Sequence, residues 1–145
     1  MKKSPLRKKG KSDVAKCKDR IQKLLRSIVI IRDGGCILRT FTEAGKCGGY
    51  RDDGELILQF DHLHSRANSA SYGISDLGVC VCLRHHFYFK KQYPAMYEEL
   101  VRRNIGEKRC QLLDRVRADK RPHSFSLWDW QKIELWLKKE LSKYE

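Results

Sequence analysis

Cys80-Val81-Cys82-Leu83-Arg84-His85-His86 decides how this chain is read. Val79-Cys80-Val81 has the apolar, β-branched character of a short strand, and a helix is expected to start near Arg84 or His85. Cys82 and His85 stand three apart across that junction, a spacing that lets both turn toward one ion. Upstream, Leu56-Ile57-Leu58-Gln59-Phe60 reads as a second short strand leading into Asp61-His62. Farther upstream, Cys36 and Cys47 each adjoin glycine, which eases a tight backbone path. With Cys82 and His85 they can close a Cys3His tetrahedron around zinc. The bland alternative is four unrelated residues. Cys80 is a spare ligand candidate, although an unpaired strand cysteine usually faces a core.

A second set of side chains suits different chemistry. Cleaving a phosphodiester needs a nucleophilic water, a base for its proton, and positive charge where negative charge develops. Asp61 and His86 can hold a hard divalent ion, Mg2+ or Mn2+, with positions left for water and a phosphate oxygen. His62, with an ordinary imidazole pKa near ~6.5, is the candidate base. Adjacent strand residues point to opposite faces, so the strand is expected to bend or end at Asp61 if the two side chains share a site. Arg66 suits a bidentate phosphate clamp. Lys90 follows His86 by four residues, on the same helix face, and can approach the phosphate as a point charge. Arg84 and Lys91 would add diffuse affinity for a nucleic-acid backbone beside Arg66 and Lys90. His64 reads as a surface histidine rather than half of an H-x-H metal pair.

Composition points to a polyanionic partner. The 145 residues carry 31 Lys+Arg against 18 Asp+Glu, a formal net charge of +13. Each phosphate neutralised by such a surface releases condensed counterions. No apolar run approaches the ~18 residues of a transmembrane helix. The charged start is followed by no apolar stretch, so no signal-peptide pattern is read. The six cysteines are therefore expected to stay reduced in a cytoplasm, as metal ligands or core thiols rather than disulfides. Met1 to Lys11 is basic and nearly free of apolar side chains, and reads as a flexible arm, either an electrostatic anchor or a solvated tail.

The remaining chain reads as helical. Ser12 or Asp13 caps a first helix, whose apolar face is Val14, Cys17, Ile21, Leu24, Leu25, Ile28 and Ile31, and Asp33-Gly34-Gly35 ends it. Pro94 opens another, with Met96, Tyr97, Leu100 and Val101 on its buried side. Gly106 separates it from a helix carrying Cys110, Leu113 and Val116. Ser126 caps the last, striped by Leu127, Trp130, Ile133, Leu137 and Leu141. The expected organisation is a basic arm over 1–12, a helix plus metal-stapled core over 13–93, and a C-terminal helical extension over 94–145.

At these residues the chain resembles the HNH, or ββα-metal, endonucleases. Phe60-Asp61-His62-Leu63 looks like the first half of their motif, and Cys80 to His86 looks like the second. Arg32-Asp33-Gly34-Gly35-Cys36 is similar to the R-D-G-x-C that introduces the first zinc ligand in that family. Within it, His62-Leu63-His64-Ser65-Arg66 resembles the H-x-x-S-R of NinG-type phage recombination endonucleases, and the aromatic Phe87-Tyr88-Phe89 after the final histidine fits the same group. The resemblance spans Ile30 to Leu141, with its specific part in Arg32–Lys90.

It implies an α+β fold: a small zinc-stapled ββα-metal core flanked by an N-terminal helix and a C-terminal helical extension. It implies a metal-dependent DNA endonuclease, acting on branched recombination intermediates in a bacterial or phage-infected cell. Asp61 and His86 would hold the catalytic ion, His62 would be the base, and Cys36, Cys47, Cys82 and His85 would hold zinc. A four-way junction requires two symmetric cuts, which a homodimer suits. Two positions depart from the pattern. Leu77 stands where the family has a central Asn that pins the loop and orients the base, leaving Asp76 or Asn68 as neighbouring substitutes. Arg39 stands where a C-x-x-C would place its second cysteine. A non-catalytic, zinc-stapled DNA-binding module is the competing reading, and an RNA binder is a third.

Overall fold

The computed structural model describes residues 10–64 and 69–145. Arg66, Asn68 and most of the basic arm lie outside these residues. Helix α1 spans Asp13–Asp33, strand β1 Leu58–His62, and a short helix α2 Ser69–Tyr72. Strand β2 spans Gly78–Cys82 and runs into a π-helix over His85–Phe89. Helices α3 (Lys90–Gln92), α4 (Pro94–Ile105), α5 (Glu107–Ala118) and α6 (Leu127–Ser142) follow. The result is an α+β fold whose sheet is a single antiparallel pair. No helix among the described residues is long and apolar enough to cross a membrane.

Local sequence explains the helix ends. Ser12 caps α1 by accepting the Ala15 N–H at 3.2 Å. Gly34 closes it in the left-handed region, φ 66°, donating its N–H to the Ile30 carbonyl. At α6, Ser126 and Asp129 exchange hydrogen bonds in a capping box. Pro94 sits in the first turn of α4.

Two apolar clusters cover the two faces of the sheet. On one, Val79 and Val81 pack with Ile37, Leu38, Phe89, Tyr97, Leu100 and Val101. On the other, Cys17, Ile21, Leu25 and Ile28 of α1 pack with Tyr72, Trp130 and Leu137, with Phe60 against them. The helices over 94–145 therefore contribute to both cores: α4 to the first and α6 to the second. Within the second, Glu134 is buried on the apolar side of α6 and its carboxylate accepts from Arg20 Nε at 2.7 Å.

The structure corrects several expectations about these elements. Ile31 is 49% exposed, and Val29 is buried in its place. Helix α1 packs against both α6 and the two strands. Met96 is 40% exposed, and the buried side of α4 is Tyr97, Leu100, Val101 and Ile105. Strand β1 begins at Leu58 rather than Leu56 and runs through His62. Leu56 instead bridges Tyr50, and the Ile57 N–H bonds the Gly49 carbonyl, so the turn at Asp52-Asp53-Gly54 claims those residues. The helical turn after β2 starts at Leu83.

Register pairs Leu58 with Cys82, Asp61 with Val79, and His62 with Gly78. Gly78 lacks a side chain where the Phe60 ring crosses, and a Cβ there would collide with that ring. Gly78→Ala is expected to destabilise the fold by about 1–3 kcal/mol through overpacking, read as a lower denaturant midpoint at unchanged m-value.

Candidate functional site

Four of the predicted ligands converge. Single donor atoms from Cys36, Cys47, Cys82 and His85 all lie within 4.8 Å of one another. The three sulfurs stand 3.3, 3.8 and 3.1 Å from His85 Nδ1, in the order Cys36, Cys47, Cys82. A zinc tetrahedron with bonds of ~2.0–2.3 Å has edges of roughly 3.5 Å, which these separations match. The imidazole is held in the tautomer that ligation requires. Its Nε2–H donates to the carbonyls of Ala44 and Gly45 at 3.0 and 3.1 Å, so Nδ1 presents its lone pair to the sulfurs. Burial pushes the Cys36 thiol up to about 12 and raises that of Cys47, so ionising these sulfurs depends on a cation among them. The group can hold a structural metal such as zinc.

Glycines shape the loop that delivers Cys47. Gly49 has φ 88°, and a Cβ on it would sit 2.6 Å from the Leu83 Cβ. Arg84 packs its stem on Gly48 and donates to the Lys46 carbonyl at 2.9 Å. It therefore braces the ligand loop as well as adding surface charge. Cys80 lies outside the ligand group. Its N–H donates to Asp33 Oδ2, its carbonyl accepts from the Ile37 N–H, and burial pushes its thiol up to about 12.

The second predicted group comes together in part. Asp61 is 5% exposed, on the face of β1 that packs toward α4. Its Oδ1 lies 3.4 Å from His86 Nε2. Two ligands on adjacent corners of an octahedron with ~2.1 Å bonds stand roughly 3 Å apart, so the pair fits one hard cation. His86 Nδ1 is buried and has no hydrogen-bond partner among the described residues. The carboxylate is nevertheless already engaged. Lys90 Nζ donates to both of its oxygens at 2.9 Å, and the Tyr97 hydroxyl donates to Oδ2 at 2.5 Å. Burial alone would raise the Asp61 carboxyl, but the bonds from His86, Tyr97 and Lys90 outweigh it and hold it below the usual carboxylate range. Burial, and then the Asp61 charge, push Tyr97 well above the ordinary phenol value, so it stays a donor. Lys90, expected to face a phosphate, is thus turned onto Asp61. Lys91 is exposed.

His62 occupies the opposite face of β1. The strand neither bends nor ends at Asp61, and the His62 ring lies against Phe60, centroids 4.4 Å apart, on the α1 side. Both residues still border one cleft of about 460 Å³, together with Gln22, Gln59, His64 and His86. Among the described residues no strand pairs with the outer edge of β1, and the cleft is lined by residues of both its faces. Gln22 is a partner that the sequence reading missed: its amide oxygen stands 2.7 Å from His62 Nε2. That oxygen only accepts, so Nε2 carries the hydrogen, and Nδ1 is the basic nitrogen of the neutral ring. Gln22 lies on the α1 surface between apolar positions, where nothing in the sequence separates it from a solvated residue.

Leu77 is 2% exposed and belongs to the core. The loop it sits in is pinned by backbone and arginine contacts. The Leu63 N–H bonds the Leu77 carbonyl at 2.8 Å. Arg32 donates to the Ser75 and Gly78 carbonyls, and Arg109 to those of Asp76 and Gly78. The Asp76 side chain only approaches Arg32, at 3.9 Å. His64 is half-buried, and burial and then Arg117 lower its pKa.

No protein-family model matches the chain, and no curated protein or solved structure matches it significantly.

Purified protein is expected to carry about one zinc per chain by elemental analysis, and Cys82→Ser or His85→Ala to lose it. Chelation should lower the melting temperature of the wild type and leave that of the variants nearly unchanged.

Proposed function

We propose that this protein is a metal-dependent endonuclease of the HNH, ββα-metal type that hydrolyses DNA phosphodiester bonds. The observation that carries the reading is the Asp61–His86 approach of 3.4 Å on a cleft that His62 also borders. A buried aspartate, an imidazole facing it and a second imidazole at the same opening form a costly arrangement for a surface that only binds. The excess of 31 Lys+Arg over 18 Asp+Glu favours a polyphosphate substrate. The resemblance to NinG-type enzymes points to branched recombination intermediates within that class.

In this reading the chain's own groups divide the work. Gln22 holds the His62 ring through Nε2, and Nδ1 accepts the proton of the attacking water. Asp61 and His86 would hold the divalent ion, Mg2+ or Mn2+, which supplies positive charge at the phosphate and leaving oxygen when bound. Cys36, Cys47, Cys82 and His85 would hold zinc and so fix the helix that carries His86. Exposed Lys91 and the sequence-expected Arg66 would meet the backbone phosphates.

Supercoiled plasmid incubated with Mg2+ or Mn2+ is expected to be nicked. His62→Ala should slow cleavage by about 10²–10⁴-fold without loss of DNA binding. Equal rates for wild type and His62→Ala would remove His62 as the base. DNA binding without any metal-dependent cleavage would favour a non-catalytic binding module. Gln22→Leu should cost roughly fivefold, the scale of one orienting hydrogen bond of ~1 kcal/mol, and shift the acid limb of the pH–rate profile, which a purely structural residue would leave in place.

A further inference from the structure

We infer that Lys90 is a resident counter-ion that competes with the divalent cation for Asp61, and that loading the cation releases the ammonium into the adjoining cleft to meet the substrate phosphate. The inference rests on the catalytic-ion reading above and adds to it how the site is kept before the ion arrives.

The geometry is that of a cation on a carboxylate. Lys90 Nζ is 2.9 Å from each oxygen of Asp61, including the Oδ1 that faces His86 and that a metal held by the pair would use. A carboxylate this deeply buried is costly without a positive partner, so the protein holds one in reserve. An ammonium and a dication within a few ångström of each other repel strongly at low dielectric, so one must leave when the other binds. Lys90 can leave. Its side chain is 39% exposed, whereas Tyr97, the other donor to Asp61, is buried. It also has somewhere to go. A second cleft of about 400 Å³ adjoins the site and is bordered by Asp61, His62 and Lys90 themselves, with Arg102 and Arg117 on its rim. These two arginines are already paired with acidic residues: Arg117 with Glu98 at 2.5 Å and Arg102 with Asp114 at 2.8 Å. Among the described residues of that wall, the released ammonium is therefore the uncommitted charge.

A merely structural ion pair and a displaced counter-ion predict opposite signs. Losing a structural partner weakens the metal site and the reaction together. Removing a competitor strengthens metal binding while cleavage still falls. The test is calorimetric titration of Mn2+ alone into the zinc-loaded full chain, comparing wild type with Lys90→Met, Lys90→Gln and Lys90→Arg. Asp61→Asn serves as the blank for binding elsewhere, and a thermal melt of each variant shows which are folded. Lys90→Met, or Lys90→Gln if Met does not fold, should bind Mn2+ about tenfold more tightly than wild type and cleave more slowly at saturating Mn2+. Lys90→Arg, which keeps the charge, should show no such gain in affinity. Mn2+ affinity in Lys90→Met and Lys90→Gln equal to or weaker than wild type overturns the inference while leaving the ion site standing. No Asp61-dependent Mn2+ binding in any of the chains overturns the catalytic-ion reading along with it.

Discussion

The convergence of three sulfurs and one ring nitrogen, His85 Nδ1, is the constraint on which the geometry of the site depends. Cys82 ends β2 and His85 opens the π-helix, so a bond from each to one ion would fix the angle at which that helix leaves the sheet. The next residue, His86, then has little choice of position, and Lys90 follows one turn later on the same side. Both reach the Asp61 carboxylate. Cys36 and Cys47 carry the same restraint back to the loop after α1. Without an ion the buried Cys36 thiol stays protonated, and the junction would rest on packing and on hydrogen bonds such as those of His85 to the Ala44 and Gly45 carbonyls.

The sheet's small size matters as much as its staple. Alternation along β1 sends Asp61 to the α4 side and His62 to the α1 side, and a third strand on the outer edge would have sealed the two apart. With that edge open, one cleft touches both residues. The two faces also differ in kind. Asp61 sits in a network of donors that keeps it ionised. His62 sits between the Phe60 and Tyr72 rings, with the Gln22 amide oxygen at its Nε2.

Much of this was legible in the sequence because the chemistry of a ligand is tied to its residue type. Cysteines beside glycine and a cysteine three before a histidine led to side chains that meet in space, and the Asp61–His86 pairing did so as well, whereas Asp61 and His62 share only a cleft. The helix caps at Ser12, Gly34 and Ser126 were equally local and equally readable. What escaped was set by tertiary contact. Gln22 is one polar residue among several on α1, and only the approach of β1 turns it into the partner of His62. Lys90 was placed on the correct side of its helix, but its target depends on where Asp61 points. The loop around Leu77 is held by Arg32 and Arg109, whose acceptors are backbone carbonyls that no sequence pattern marks. Strand parity raised the conflict between Asp61 and His62, and the open sheet edge that resolves it is a property of topology.

Helix α6 appears remote from every ligand, yet it grips α1 through Trp130, Leu137 and the Glu134–Arg20 pair, and Arg20 lies two residues from Gln22. A chain truncated before Leu127 would keep all four sulfur and nitrogen donors, the aspartate and both imidazoles. It would lose the clamp that sets the rotation of α1 about its own axis, and with it the aim of a single amide. Damage of that kind would leave the donor atoms in the chain and fall on the α1–α6 core and on the contact between Gln22 and His62.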